Sequence, residues 1–179
     1  MTGRPGSSEA ASTYFTYIDR IESDDIVSVL EKQLDETMPL LSSISEEQSR
    51  QRYQPGKWTI REVLNHINDC ERIFQLRALW FARSLEGALP SFEQDIAASA
   101  ARADEFSWAS HREEFRLVRM GTLAFFRNLT DEAWKRSGTA SGNPVTVRAL
   151  AYIIAGHLSH HIAVLQDKYL KTSSTSVGL

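Results

Sequence analysis

Residues 149–166, ALAYIIAGHLSHHIAVLQ, contain no Asp, Glu, Lys or Arg, and they form the longest uncharged run in the 179-residue chain. A helix of that length without charge either crosses a bilayer or lies in the interior of a folded bundle. Three imidazoles (His157, His160 and His161) and the Ser159 hydroxyl would be costly in hydrocarbon. The run therefore reads as a core helix, and no membrane span is expected. The charge balance, 20 Lys and Arg against 23 Asp and Glu, gives −3. Without a basic stripe to displace counterions, nucleic acid is not an expected partner. The single cysteine, Cys70, excludes an intrachain disulfide and fits a reducing cytoplasm, the expected location.

Three further segments share the helical period. From Asp24 to about Leu41, the residues Ile26, Val27, Leu30, Leu34, Met38 and Leu41 recur at steps of three and four, with Pro39 expected to kink or end the helix. Thr59-Ile60-Arg61-Glu62 has the form of a capping box, with Trp58 and Val63 placed for a hydrophobic staple. The helix it starts carries Val63, His66, Cys70, Ile73, Trp80 and Phe81 on one side and should run to about Leu85, ahead of Gly87 and Pro90. Residues 87–106 read as a long connection with room for a short helical turn. Ser107 can cap a third helix with the stripe His111, Phe115, Val118, Thr122 and Phe126. A short turn from Thr130 holds Trp134, residues 137–144 suit a loop or small hairpin, and Thr146 can cap a fourth helix reaching about Leu170. The expected fold is an all-α four-helix bundle over residues 23–171, flanked by a flexible segment, 1–22, rich in Gly, Pro and Ser, and a small polar tail, 172–179.

On the fourth helix His157 and His161 fall on the apolar face, one turn apart. That spacing lets two imidazoles from one helix reach a single ion, as in the H-E-x-x-H pattern. A third ligand must come from a facing helix, and His66 sits at the centre of the inward stripe of the second. Taken alone, His66 reads as a hydrogen-bonded core residue, and so does His111. Two inward imidazoles a turn apart would otherwise each need a buried partner, which favours a shared ion. The candidate ligand set is thus His66, His157 and His161. His160 lies at the edge of the face and suits a supporting or proton-transfer role. Asp69, three residues after His66, could orient an imidazole or act as a base, although a solvated helix face is the simpler reading. Cys70 is within reach of the same ion but reads first as a small apolar residue.

These segments also suggest a family. RYQPGKWTIREVLNHINDCERIFQLRALWFAR (52–83) and PVTVRALAYIIAGHLSHHIAVLQDKY (144–169) resemble the second and last helices of the DinB-like, YfiT-related superfamily. The resemblance spans about residues 24–170. It implies an up-down-down-up four-helix bundle, a divalent metal held by three histidines at His66, His157 and His161, and a homodimer. Some members of that superfamily are described as metal-dependent hydrolases, and others as thiol S-transferases or isomerases.

Three functional readings follow. A three-histidine site leaves a coordination position open. Filled by a low-molecular-weight thiol, it would serve a thiol S-transferase acting on a small electrophile, the reading preferred here. Filled by water, it would serve hydrolysis of an amide or ester. A non-catalytic metal-binding or stress-response bundle is the third. Zinc or nickel suits three imidazoles best, with iron, manganese or copper as alternatives.

Overall fold

The computed structural model, which describes residues 3–171, contains a short α1 (Phe15–Ile18), then α2 (Ile26–Ser43), α3 (Ile60–Ala82), α4 (Gln94–Ala101), α5 (Trp108–Arg127) and α6 (Asp131–Lys135). A hairpin of β1 (Ser137–Ala140) and β2 (Asn143–Thr146) leads into α7 (Val147–Val164), which continues as a π turn over Leu165–Leu170. The expected tail, 172–179, lies outside the described residues.

Each long helix begins where a side chain takes up backbone donors that the first turn leaves unpaired. Asp25 accepts from the Ser28 amide ahead of α2, Ser107 from Ser110 ahead of α5, and Thr146 from Ala149 ahead of α7. At α3 both capping-box bonds are present: the Thr59 amide donates to Glu62 Oε2 at 2.6 Å, and the Glu62 amide to Thr59 Oγ1 at 3.1 Å. Two boundaries differ from expectation. Pro39 neither ends α2 nor marks its boundary, because it lies on the exposed side, where the carbonyl it leaves unpaired can be hydrated. α3 stops at Ala82 rather than near Leu85, because Ser84 adopts a left-handed conformation (φ 55°) and the Leu85 amide turns back to the Trp80 carbonyl.

The contacts between helices give the direction of each in the bundle. The start of α5 meets the end of α2, where Trp108 Nε1 donates to the Leu41 carbonyl, so these two run antiparallel. α3 and α5 are parallel: Arg61 reaches the Phe106 carbonyl near their starts, and Glu71 meets Arg119 further along. α7 returns antiparallel to α3, with Tyr169 Oη on the Trp58 carbonyl and His157 beside His66. The result is up-down-down-up. Arg119 is fully buried and gives two bonds to Glu71, at 2.8 and 2.9 Å, while its Nη1 bonds the Leu30 carbonyl and Gln33, so one cation ties α5 to α3 and α2.

Residues 3–22 do not form the flexible segment expected over 1–22. Ile18 and Ile21 are buried, and α1 packs along α7. α7 is buried on every side from Ala149 to Leu158, so a fourth surface must cover it, and the aromatic run from Tyr14 to Tyr17 supplies one. Gly156 permits the approach: a Cβ there would stand 2.1 Å from the Tyr17 carbonyl oxygen. The Gly, Pro and Ser content of this segment masks these aromatics in its average composition.

Candidate metal centre

The centre is assembled by the antiparallel contact of α3 and α7. The capping box fixes the start of α3, and His66 follows two turns later on its buried face. His157 and His161 rise from α7 at consecutive turns. His157 Nε2 stands 3.1 Å from His66 Nε2 and 3.1 Å from His161 Nε2, and one ligand atom from each of the three lies within 4.8 Å of the others. His66 and His157 are buried and His161 is half-buried.

Burial lowers the pKa of each ring. It takes His66 to about 4, against a small opposing pull from Asp95, and His161 to about 3, helped by its imidazole neighbours. His157 falls well below the ordinary value for the same reasons, burial first and then the three surrounding histidines. All three are neutral near pH 7, with a lone pair available for coordination. Two nitrogens each 2.0–2.1 Å from a tetrahedral ion stand about 3.3 Å apart, close to the separations seen. A pair of neutral imidazoles can share one N–H between their nitrogens. Three converging Nε2 atoms cannot all be satisfied that way, and the donor set fits a divalent cation.

Aromatic rings enclose the cluster. Trp58 lies 4.9 Å from His66, Tyr17 meets His157 edge-on at 5.3 Å and His160 at 5.7 Å, and Phe74 stands 6.2 Å from His157. His160 adjoins His161 at 4.9 Å, and burial and then Arg20 lower its pKa. Cys70 Sγ contacts the His66 ring, 3.6 Å from Nδ1 and 3.7 Å from Nε2, but is not one of the converging donors, and burial pushes its thiol up to about 12. Asp69 is not brought to the centre. Its carboxylate accepts from Asn65 Nδ2 at 2.9 Å and faces Arg72, and burial raises its pKa. His111 is structural, donating from Nε2 to the Ala103 carbonyl at 2.8 Å.

Two cavities reach the cluster. One of about 330 Å³ is lined by His160, His161, Trp58, Lys57, Tyr53 and Asp95, among others. The other, of about 170 Å³, has His157, Cys70, Phe74, Arg77, Tyr14 and Tyr17 in its wall. Gln94, at the start of α4, borders both. Sequence reasoning missed Tyr17, Arg77 and Gln94. The aromatic run at Tyr14–Tyr17 and a charge seven residues beyond Cys70, in line with the inward stripe, were the signals that could have found the first two. Gln94 had none.

The comparisons agree with this architecture. The sequence model of the DinB superfamily matches residues 30–165. The structure is similar to that of YfiT from Bacillus subtilis, described as a probable metal-dependent hydrolase with an unusual four-helix bundle topology. The TM-score is 0.69 at 17% identity, over 94% of this chain and 93% of that one. It is also similar to the DinB-like protein YjoA from Bacillus subtilis, with a TM-score of 0.60 and 22% identity over 87% of this chain and 96% of that one. No curated protein sequence matches the chain. A bundle of this topology, with the superfamily match running from Leu30 within α2 to Leu165 at the end of α7, leaves one assignment: the chain belongs to the DinB superfamily.

Proposed function

We propose that the protein is a metal-dependent thiol S-transferase acting on a small electrophile, with a divalent cation, zinc or nickel, held by His66, His157 and His161. The observation that carries this reading is the pair of cavities meeting the histidine cluster from two sides, which suits a reaction of two substrates. When bound, the cation would favour the ionised form of a thiol or water held against it. The chain's own groups do the rest. Burial keeps the three imidazoles neutral, Trp58 and Tyr17 shield them, and Lys57 and Asp95 offer charged partners to a low-molecular-weight thiol in the larger cavity.

Hydrolysis is the second reading. It is favoured by His160, a neutral imidazole in the wall of the larger cavity beside His161 and able to accept a proton from water, and by the description of YfiT. The test is an assay of electrophilic, amide and ester substrates with a panel of thiols and without any. Strict thiol dependence supports transfer and excludes simple hydrolysis; turnover indifferent to thiol does the reverse. Purification without chelator or a nickel column that yields less than about 0.2 equivalents of metal per chain overturns both.

A homodimer belongs to the same proposal. Leu76 and Leu79 on α3, and Leu117 and Met120 on the adjoining α5, are between 40% and 54% exposed, and these are the side chains a second copy would cover. Sedimentation equilibrium should show twice the monomer mass, and Leu117→Glu should halve it.

A further inference from the structure

Arg77 is 4% exposed, yet no carboxylate among the described residues pairs with it. Its Nη2 donates to the Pro90 carbonyl at 2.8 Å and to Ser141 Oγ at 3.0 Å, and its guanidinium lies 5.8 Å from the centre of the Phe74 ring. Nε and Nη1 make no hydrogen bond to any described residue. The other buried arginines are treated differently. Arg119 meets Glu71 with two bonds, and Arg61 meets Glu46 and backbone carbonyls. Arg77 as a whole is buried, while its unbonded Nε and Nη1 keep contact with open space, where an anion could meet them. It lines the smaller cavity, whose wall also holds His157, and Phe74 adjoins both, 6.2 Å from His157 and 5.8 Å from Arg77 Cζ.

We propose that this cavity receives a small organic acid, its carboxylate held by the free N–H groups of Arg77 and its apolar body against Phe74, Phe92, Tyr14 and Ile73. Arg77 is the one charged residue among those lining the cavity, which matches a single negative charge rather than a phosphate dianion. As the identity of the electrophile, this rests on the reading that the histidine cluster is the reaction centre; the anion site itself does not. The acid end lies toward α3 and the connection carrying Pro90, and the reacting end toward His157. Arg77 is thus a residue that determines which substrates enter, and it binds without the metal.

The probe is phenylacetate, with its neutral isostere phenylacetamide, titrated calorimetrically at pH 7.5 into metal-free and metal-loaded protein. The expected result is that the acid binds both forms and that the amide binds at least about tenfold more weakly. Arg77→Met should weaken the acid about tenfold or more and leave the amide unchanged, Arg77→Lys should recover part of the loss, and Lys32→Met, on the exposed face of α2, should change neither. Should Arg77→Met not fold, the comparison of acid and amide in the native protein still decides, together with the shift of the Arg77 Nε–H resonance on adding acid. Equal affinity for acid and amide, or acid binding unchanged by Arg77→Met, overturns the proposal. So does acid binding that vanishes with the metal, an outcome that leaves the metal reading intact. Acid binding in a protein that takes up no metal would overturn the metal reading and leave the anion site standing.

Discussion

The Nε2 atoms of His66 and His157 stand 3.1 Å apart although 91 residues separate them along the chain. Neither helix alone makes a site: α3 contributes one nitrogen and α7 two, and only their antiparallel packing brings the lone pairs together. Buried imidazoles that repel when charged and cannot all pair when neutral are a local cost, which a bound cation would reverse.

Metal uptake is therefore expected to depend on both helices. Wild-type protein should hold about one divalent ion per chain, and His66→Ala or His157→Ala should each reduce this below about 0.2 equivalents. At a free ion concentration a hundredfold above Kd, the wild type should gain about 2.7 kcal/mol of stability. Metal analysis of dialysed protein and thermal unfolding with and without ion check the two statements. A histidine variant that retains full occupancy would remove that residue from the ligand set.

The buried pair of Glu71 and Arg119 offers a test of the bundle itself. Both are almost completely buried and joined by two hydrogen bonds. Arg119→Met strands a carboxylate in the core and should cost about 3–5 kcal/mol in urea unfolding. The double variant Glu71→Leu with Arg119→Met should recover much of that loss, because no charge is then left unpaired.

Gly156 sits in the middle of α7, where alanine would ordinarily favour the helix by about 1 kcal/mol. Here Gly156→Ala should destabilise instead, by about 1–3 kcal/mol, because the new methyl would meet the backbone of Tyr17. Since Tyr17 covers His157, limited proteolysis should cut the segment ahead of Asp24 faster in this variant.

The same segment is held at Glu9, whose carboxylate takes bonds from Arg148 and Thr146. Burial acts to raise the Glu9 pKa, but the bonds from Arg148, the Gly6 amide and Thr146, with the charge of Arg148, outweigh it and hold the pKa below the ordinary value. A lowered folded pKa stabilises fully above the unfolded value, about 4.3, and that contribution is lost as pH falls through the folded one. Amide exchange over residues 3–22, corrected for intrinsic rates, should lose protection below about pH 4 before the helices do. In Glu9→Gln this acid-induced step should be absent.

Much of the architecture was legible in the chain because helices are written locally. The caps at Thr59, Ser107 and Thr146 and the three-and-four spacing behind them involve residues within a turn or two of each other, and all three caps form as the residue types require. The candidate triad could be nominated for the same reason: an uncharged helix with two histidines one turn apart, and one more on the buried stripe of another helix, are local patterns. Their convergence was decided by tertiary structure, through the pairing of α3 with α7, as were the two cavities beside them. Where a charged side chain would point, and whether an anion would meet it, depends on contacts distant in sequence, so Arg77 looked no different from the paired Arg119. The packing of residues 3–22 is hidden from composition, which averages over residues, whereas packing selects single side chains. Tyr17 and Ile18 cover α7 whatever surrounds them in the chain, and the space for them was set aside by Gly156, 139 positions after Tyr17.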